Sequence, residues 1–336
     1  MSREPDVLVT GSSGHLGVGL MLHLPQFSSF TPIGLDMLPS EYTSIVGSIT
    51  DRTLIADVFE RWPSIRYVLH TATLHKPHIG SHSKEAFIET NVQGTLVLLE
   101  EASRTGRIEA FIFTSTTSTF GAALAPAPGE PAAWIDESVV PIPKNIYGVT
   151  KMAAEDMCKL IHDETNMPIL VLKVSRFFPE HDDSMKNRLA YYDNNLKVCE
   201  LMYRRVDICD VVDAHVCAMR KAREIGWGKY IISAPSPFSN NAATLQSLGE
   251  GRVKEVVKRV SPEEVGVFHR RGWKFPDRID RVYDSSKAQR ELGWTALYPF
   301  WGACIRVGLN SPWQSNLALE VGKRGYHAVP TGVYTT

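Results

Sequence analysis

No stretch of the 336 residues approaches the roughly 20 consecutive apolar positions that a bilayer-spanning helix needs, so an integral membrane protein is not expected. Net charge is equally scarce. With 36 Lys and Arg against 37 Asp and Glu, the formal balance is −1, which leaves no field to attract nucleic acid or a membrane surface. The five cysteines, at positions 158, 199, 209, 217 and 304, show no paired spacing, so a disulfide framework is not expected and a reduced, cytoplasmic compartment is. Cys209 and Cys217 read as small buried residues of an apolar helix. There is no internal repeat and no low-complexity tract. The polar start Met1-Ser2-Arg3-Glu4-Pro5-Asp6 leads straight into an apolar segment, so a signal peptide is not expected. The last residues, Val329 to Thr336, are expected to be disordered.

What the chain does hold is concentrated near its start. Val7-Leu8-Val9 reads as a buried strand, followed by glycines at 11, 14 and 17. Such a turn lets backbone approach a diphosphate, and the helix that follows aims free N–H groups and the positive end of its dipole at it. Gly11, Gly14, His15, Leu16 and Gly17 are therefore candidate cofactor residues. Pro32-Ile33-Gly34-Leu35-Asp36 reads as a second strand ending in an acid, near the spacing at which a carboxylate accepts hydrogen bonds from adenosine ribose hydroxyls. An anion at Asp36 would repel a 2′-phosphate, so NAD is expected rather than NADP.

A second constellation carries the chemistry. Tyr147 and Lys151 stand at i and i+4 of a helix-forming segment, one above the other on a single face. A phenol with its ordinary pKa of about 10 is a poor base at neutral pH, and a neighbouring ammonium stabilises its phenolate. Upstream, Phe111 to Thr117 reads as a strand running into hydroxyl residues, at the strand end where an α/β sheet places its ligands.

These stretches resemble the extended short-chain dehydrogenase/reductases, the NAD-dependent epimerase/dehydratase family. Further matches are Val68-Leu69-His70-Thr71-Ala72, Thr90-Asn91-Val92-Gln93-Gly94-Thr95, and Asp284 to Ala288 with Glu291-Leu292-Gly293-Trp294, in the family's order and spanning nearly the whole chain. The resemblance implies Tyr147 as general acid/base, Lys151 as its tuner and a ribose ligand, and Thr116 as the catalytic hydroxyl, ahead of its neighbour Thr117, which would contact substrate. It also implies that Thr71, Ala72, Thr73, Asn91 and Phe178 line the cofactor. His75 and His78, close after the segment whose family counterpart faces the nicotinamide, would then contact substrate. Ser48-Ile49 occupies the place of an Asp-aliphatic pair that meets adenine, so adenine recognition is expected to be weaker.

Two other departures concern the substrate. Arg176-Phe177-Phe178-Pro179 puts a proline where nucleotide-sugar members carry an asparagine, and a proline side chain donates nothing. Tyr203-Arg204-Arg205-Val206-Asp207 replaces an Arg-Asp-aromatic-Ile-His sequence that helps hold a nucleotide diphosphate. Arg176 and Arg205 are candidate substrate ligands, with Arg204 and Arg205 able to hold an anion from a shifted position. His75, His78 and His82 lie close together, but the Pro- and Gly-containing stretch reads as a loop without helical geometry, and no cysteine or carboxylate has ligand spacing beside it. No metal is expected.

The alternation of strands and helices over 7–175 implies a doubly wound parallel sheet of the Rossmann type, with a smaller C-terminal α+β substrate-binding region. Residues 1–176 are read as the dinucleotide-binding core and 177–336 as mainly substrate-binding, with segments around 206–233 returning to the core. One continuous helix is expected from Lys84 to Arg104, another from Tyr147 to Glu164, and a loop over 122–143. The apolar faces Leu96-Leu99-Ala102 and Met157-Leu160-Ile161 would pack on the sheet or on each other; by resemblance the two helices pair between subunits, implying a homodimer. The expected activity is NAD-dependent hydride transfer at a carbinol or ketone carbon of a small polar substrate such as a sugar, sugar acid or hydroxyketone. Sugar epimerisation or dehydration with a tightly held cofactor is the alternative, and a non-catalytic dinucleotide sensor a third.

Overall fold

The structure, a computed structural model, describes residues 3–27, 29–182 and 184–324; Val329 to Thr336 lie outside the described residues. Its strands are β1 (Val7–Thr10), β2 (Pro32–Asp36), β3 (Ile45–Val46), β4 (Tyr67–His70), β5 (Ala110–Thr116), β6 (Ala133–Ile135), β7 (Ile169–Val174), β8 (Trp227–Ile232) and β9 (Arg281–Tyr283). Seven of them form one parallel sheet in the order β3-β2-β1-β4-β5-β7-β8. Strand order reverses between β1 and β4, and that reversal opens a crevice at the carboxyl ends of the strands.

Both faces of the sheet are covered, which is why its strands read as near-continuous apolar runs. All six residues of β7 are buried. On one face Val7, Val9, Ile112 and Leu172 pack against Leu20 and Leu24 of helix His15–Phe27 and against Val211, Val212 and Met219 of helix Ile208–Ile225. On the other, Leu8, Val68, Phe111, Phe113 and Val171 meet Val58, Leu98, Ala154 and Cys158 from three further helices. A separate apolar cluster, with Met202, Phe238, Val257, Phe268, Phe300 and Trp313, organises the C-terminal part of the chain. Helix Ile208–Ile225 and β8 return to the main sheet from within this later half. Among the described residues no helix is long and apolar enough to cross a membrane.

Three expectations are corrected. The helix expected over Lys84 to Arg104 is divided into Lys84–Ile88 and Gly94–Arg104 by a wide π turn at Glu89–Gln93. Such turns are frequent at functional sites, and this one carries the buried Asn91. The histidine stretch contains a 3-10 helix, Lys76–Gly80, with Pro77 in its first turn. The expected loop 122–143 contains β6, which pairs in parallel with β9. A three-residue strand whose partner lies well over a hundred residues away has no periodicity by which to be recognised.

The turn after β1 is close-packed backbone. Gly11 has φ +75, and a Cβ built on Gly17 would lie 2.0 Å from the Gly11 carbonyl oxygen. Gly17→Ala must therefore displace main chain. It should destabilise the protein by about 1–3 kcal/mol, as overpacking does, read as a shift in the urea midpoint at unchanged slope; an unshifted midpoint would contradict this packing.

Candidate active site

A cavity of about 710 Å³ runs along the carboxyl ends of the strands. Of the residues singled out in the sequence, Gly11, Gly14, His15, Leu16, Gly17, Asp36, Ser48, Ile49, Thr71, Ala72, Thr73, His75, His78, Thr116, Thr117, Tyr147, Arg176 and Phe178 all line it. The turn after β1 fits a dinucleotide diphosphate: Gly11, Gly14 and Gly17 line the cavity without side chains, and the N-terminus of helix His15–Phe27 opens onto it. Asp36 is fixed at the end of β2 by accepting backbone hydrogen bonds from Ser13 and Leu38, both 2.9 Å, one on each carboxylate oxygen. Each oxygen keeps a lone pair for a further donor.

Helix Ile146–Thr165 presents the chemical groups. Asn145 caps it, accepting from the Gly148 amide at 3.0 Å, and one turn separates Tyr147 from Lys151. Burial pushes the Tyr147 phenol up to about 12, against which a hydrogen bond from the Thr116 hydroxyl pulls it down. Thr116 in turn accepts from the Ser118 amide at 3.0 Å. The Lys151 ammonium lies 3.9 Å from the centre of the Phe113 ring. Burial lowers it to about 7, with Cys158 and Glu155 drawing it back up. The cationic form of a lysine favours a phenolate held near it.

One turn further along, Glu155 is held by Lys173 at 2.7 Å and Lys229 at 2.9 Å. It also accepts from Ser115, the neighbour of Thr116 on β5, at 2.5 Å.

Three named residues stand elsewhere than expected. Asn91 does not line the cavity. Its side chain accepts from the Leu74 amide at 2.8 Å and donates to the Leu74 carbonyl at 2.8 Å and to Thr150 at 3.0 Å, so it positions the Thr71 to Leu74 wall. Lys151 is buried behind the wall. Arg205, expected at the substrate, is also buried, donating to Glu200 at 2.8 Å and to the Phe178 carbonyl at 3.0 Å. Its neighbour Arg204 lines the cavity instead. The reason is local pairing: the stretch bridges alongside Arg176, with Arg176 N donating to Arg204 O and Val206 N to Arg176 O, which turns Arg205 inward. Tyr283, from β9, also lines the cavity, its hydroxyl 3.5 Å from the Thr117 carbonyl. No local pattern around Tyr283 announced that role. His75 stacks on Phe178 at 5.7 Å, and the His78 ring accepts from the His75 amide at 2.9 Å.

The fold and the tyrosine-lysine helix beside a glycine turn define a dinucleotide-dependent enzyme of the extended short-chain dehydrogenase/reductase type. The chain belongs to the NAD-dependent epimerase/dehydratase family, whose profile matches residues 7–232, and NAD is its cofactor. It is similar to UDP-glucose 4-epimerase of Rhizobium meliloti, 25% identical over 88% of this chain and 94% of that one. It is also similar to human dTDP-D-glucose 4,6-dehydratase, 27% identical over 65% of this chain and 66% of that one. Among solved structures, UDP-glucuronic acid 4-epimerase from Bacillus cereus in complex with NAD has the same fold, with a TM-score of 0.60 and 17% identity over 92% of this chain and 95% of that one.

Glu200 offers a stability test. Burial raises this carboxyl, but Arg204, Arg205 and Arg176 together bring it down to about 2. A depressed carboxyl contributes stability that is complete above its ordinary pKa, near 4.5, and lost as pH falls toward 2. Glu200→Gln leaves buried guanidiniums uncompensated and should cost about 3–5 kcal/mol at pH 7. Urea unfolding across pH 2–7 should show the gap to the unaltered protein narrowing below about pH 4.5; a gap independent of pH would contradict the assignment.

Proposed function

We propose that the protein oxidises or reduces a carbinol or ketone carbon of a small polar substrate, with Tyr147 moving the proton. The observation that carries this reading is the half-buried Tyr147 phenol, bonded to Thr116 at the cavity wall, with the buried Lys151 one turn behind. NAD, when bound, supplies the hydride acceptor or donor. Gly11, Gly14, Gly17 and the amides opening helix His15–Phe27 would hold its diphosphate, Asp36 its adenosine ribose, and Ser48 and Ile49 would face its adenine. Thr116 orients the substrate oxygen, and Tyr147 takes or gives the hydroxyl proton. Lys151, when charged, makes that exchange feasible near neutral pH. Residues 1–176 would serve mainly the cofactor and 177–336 mainly the substrate, with segments around 206–233 returning to the core. A second copy of the chain would cover Val149 and Leu160, both about half exposed on helix Ile146–Thr165.

Net oxidoreduction is favoured over epimerisation because Pro179 and the inward-turned Arg205 remove two anchors for a nucleotide diphosphate, and a retained intermediate needs such anchors while its faces are exchanged. The similarity to UDP-glucose 4-epimerase along most of its length supports epimerisation as the second reading. Absorbance of the reduced nicotinamide, followed during a screen of sugars, sugar acids and hydroxyketones, separates the two: stoichiometric NADH is expected, whereas an epimer formed without NADH would replace the first reading with the second.

Tyr147→Phe removes only the phenolic oxygen, so NAD affinity should survive while turnover falls by about 100- to 10,000-fold. Near-normal turnover would overturn the assignment of the base. Asp36→Ala should lower NAD affinity by roughly 10- to 100-fold, the worth of hydrogen bonds to a charged group. It should also erase the preference over NADP, as measured by fluorescence titration with both cofactors.

A further inference from the structure

The charged side chains lining the cavity are unevenly placed. The acidic one is Asp36, at the end of β2; the permanently basic ones are Lys76, Arg176 and Arg204. Arg176 stands just beyond the end of β7, four strand positions from β2 and three from the glycine turn after β1. At the spacing of neighbouring strands these are separations of roughly 19 and 14 Å. The two arginines therefore serve neither the Asp36 end nor the diphosphate turn. They lie one strand from β5, whose last residue is Thr116, and so on the side of the cavity where Tyr147 acts.

The arginines are built into place. Glu200, with no exposed surface, binds Arg204 at 2.8 Å, Arg205 at 2.8 Å and Arg176 at 3.1 Å, and the buried Asp182 binds Arg176 as well. These three guanidiniums share two carboxylates, so their N–H groups outnumber the oxygens that pair them. Arg205 is consumed inside, whereas Arg176 and Arg204 keep 25% and 33% of their side chains exposed. The Nε of Arg204 is buried without a hydrogen-bond partner among the described residues. Pinned from below, the two cavity-facing guanidiniums have little freedom left to lose when they meet an anion.

We propose that Arg204 and Arg176 form a subsite for a carboxylate of the substrate, so that the protein acts on a hydroxy acid or keto acid, a sugar acid among them, rather than on a neutral sugar. The inference rests on the function proposed above and names the substrate class of that site. A guanidinium presents paired N–H groups in the geometry a carboxylate accepts. The carboxylate anchors one end of the substrate while a carbinol carbon elsewhere in it reaches Thr116 and Tyr147.

The test measures binding apart from turnover. The Tyr147→Phe protein, loaded with NAD, is titrated calorimetrically with glucuronate against glucose, galacturonate against galactose, and with UDP and inorganic phosphate. At least one acid should bind tenfold or more tightly than its neutral partner, with an advantage that shrinks as salt is raised. Arg204→Met should erase that advantage while leaving the neutral sugar's affinity in place, and Arg204→Lys should restore part of it. Should the Met variant fold poorly, the comparison of acid with neutral sugar in the Tyr147→Phe background carries the test alone. Equal affinity for acids and neutral sugars overturns the proposal, as does tighter binding of UDP or phosphate than of every acid. An acid that binds through Arg204 yet is never turned over by the unaltered enzyme would retain the subsite and refute the oxidoreductase reading instead.

Discussion

The buried ion pair between Glu155 and Lys173 fixes the rest of the site in space. It joins helix Ile146–Thr165 to β7, and through Ser115 and Lys229 to β5 and β8 as well. Breaking such a pair by removing one partner leaves an uncompensated buried charge at a cost of about 3–5 kcal/mol. The helix therefore cannot slide or rotate on the sheet without losing it. Because Tyr147, Lys151 and Glu155 follow at successive turns of one helix face, the anchor at Glu155 sets where the phenol meets Thr116. The apolar contacts of Ala154 and Cys158 supply area, but they are nondirectional and would tolerate a small rotation.

Charge is handled in two contrasting ways around the cavity. Beneath Tyr147 it is enclosed: Lys151, Lys173 and Glu155 are all shut from water. Beyond β7 it is presented: Glu200 holds a group of arginines, two of which reach the cavity wall. The first arrangement adjusts the acidity of a group that belongs to the protein, and the second leaves guanidinium N–H groups that an incoming molecule can satisfy. A chain with a formal charge of −1 shows neither in its overall balance.

Much of this was legible in the residues because it is encoded locally. The glycine turn, Asp36 and the Tyr147–Lys151 spacing each lie within one strand-turn or helix-turn unit, and β2 matches the strand read at Pro32 to Asp36. The parts that escaped reading depend on pairing at a distance. Arg204 and Arg205 were both read as able to hold an anion, and only the bridge to Arg176 decides which of the two side chains turns inward. Asn91 was read as facing the cofactor, but the π turn at Glu89–Gln93 and the demands of Leu74 direct its amide into the wall. Several helices of the later half, such as Pro262–Arg270 and Phe300–Gly308, went unread, since short amphipathic segments resemble loops until their shared cluster is known.

The parallel pairing of β6 with β9 has a consequence for the order in which the molecule is made. Tyr283 meets the Thr117 carbonyl only because β9 has closed onto β6, a contact that spans 166 residues of chain. During synthesis the seven strands of the large sheet are all available once β8 has emerged, yet this wall of the cavity must wait for β9. Contacts so distant in sequence form late and slowly, so a nascent chain can hold its glycine turn and its tyrosine well before it has a finished place for anything to react.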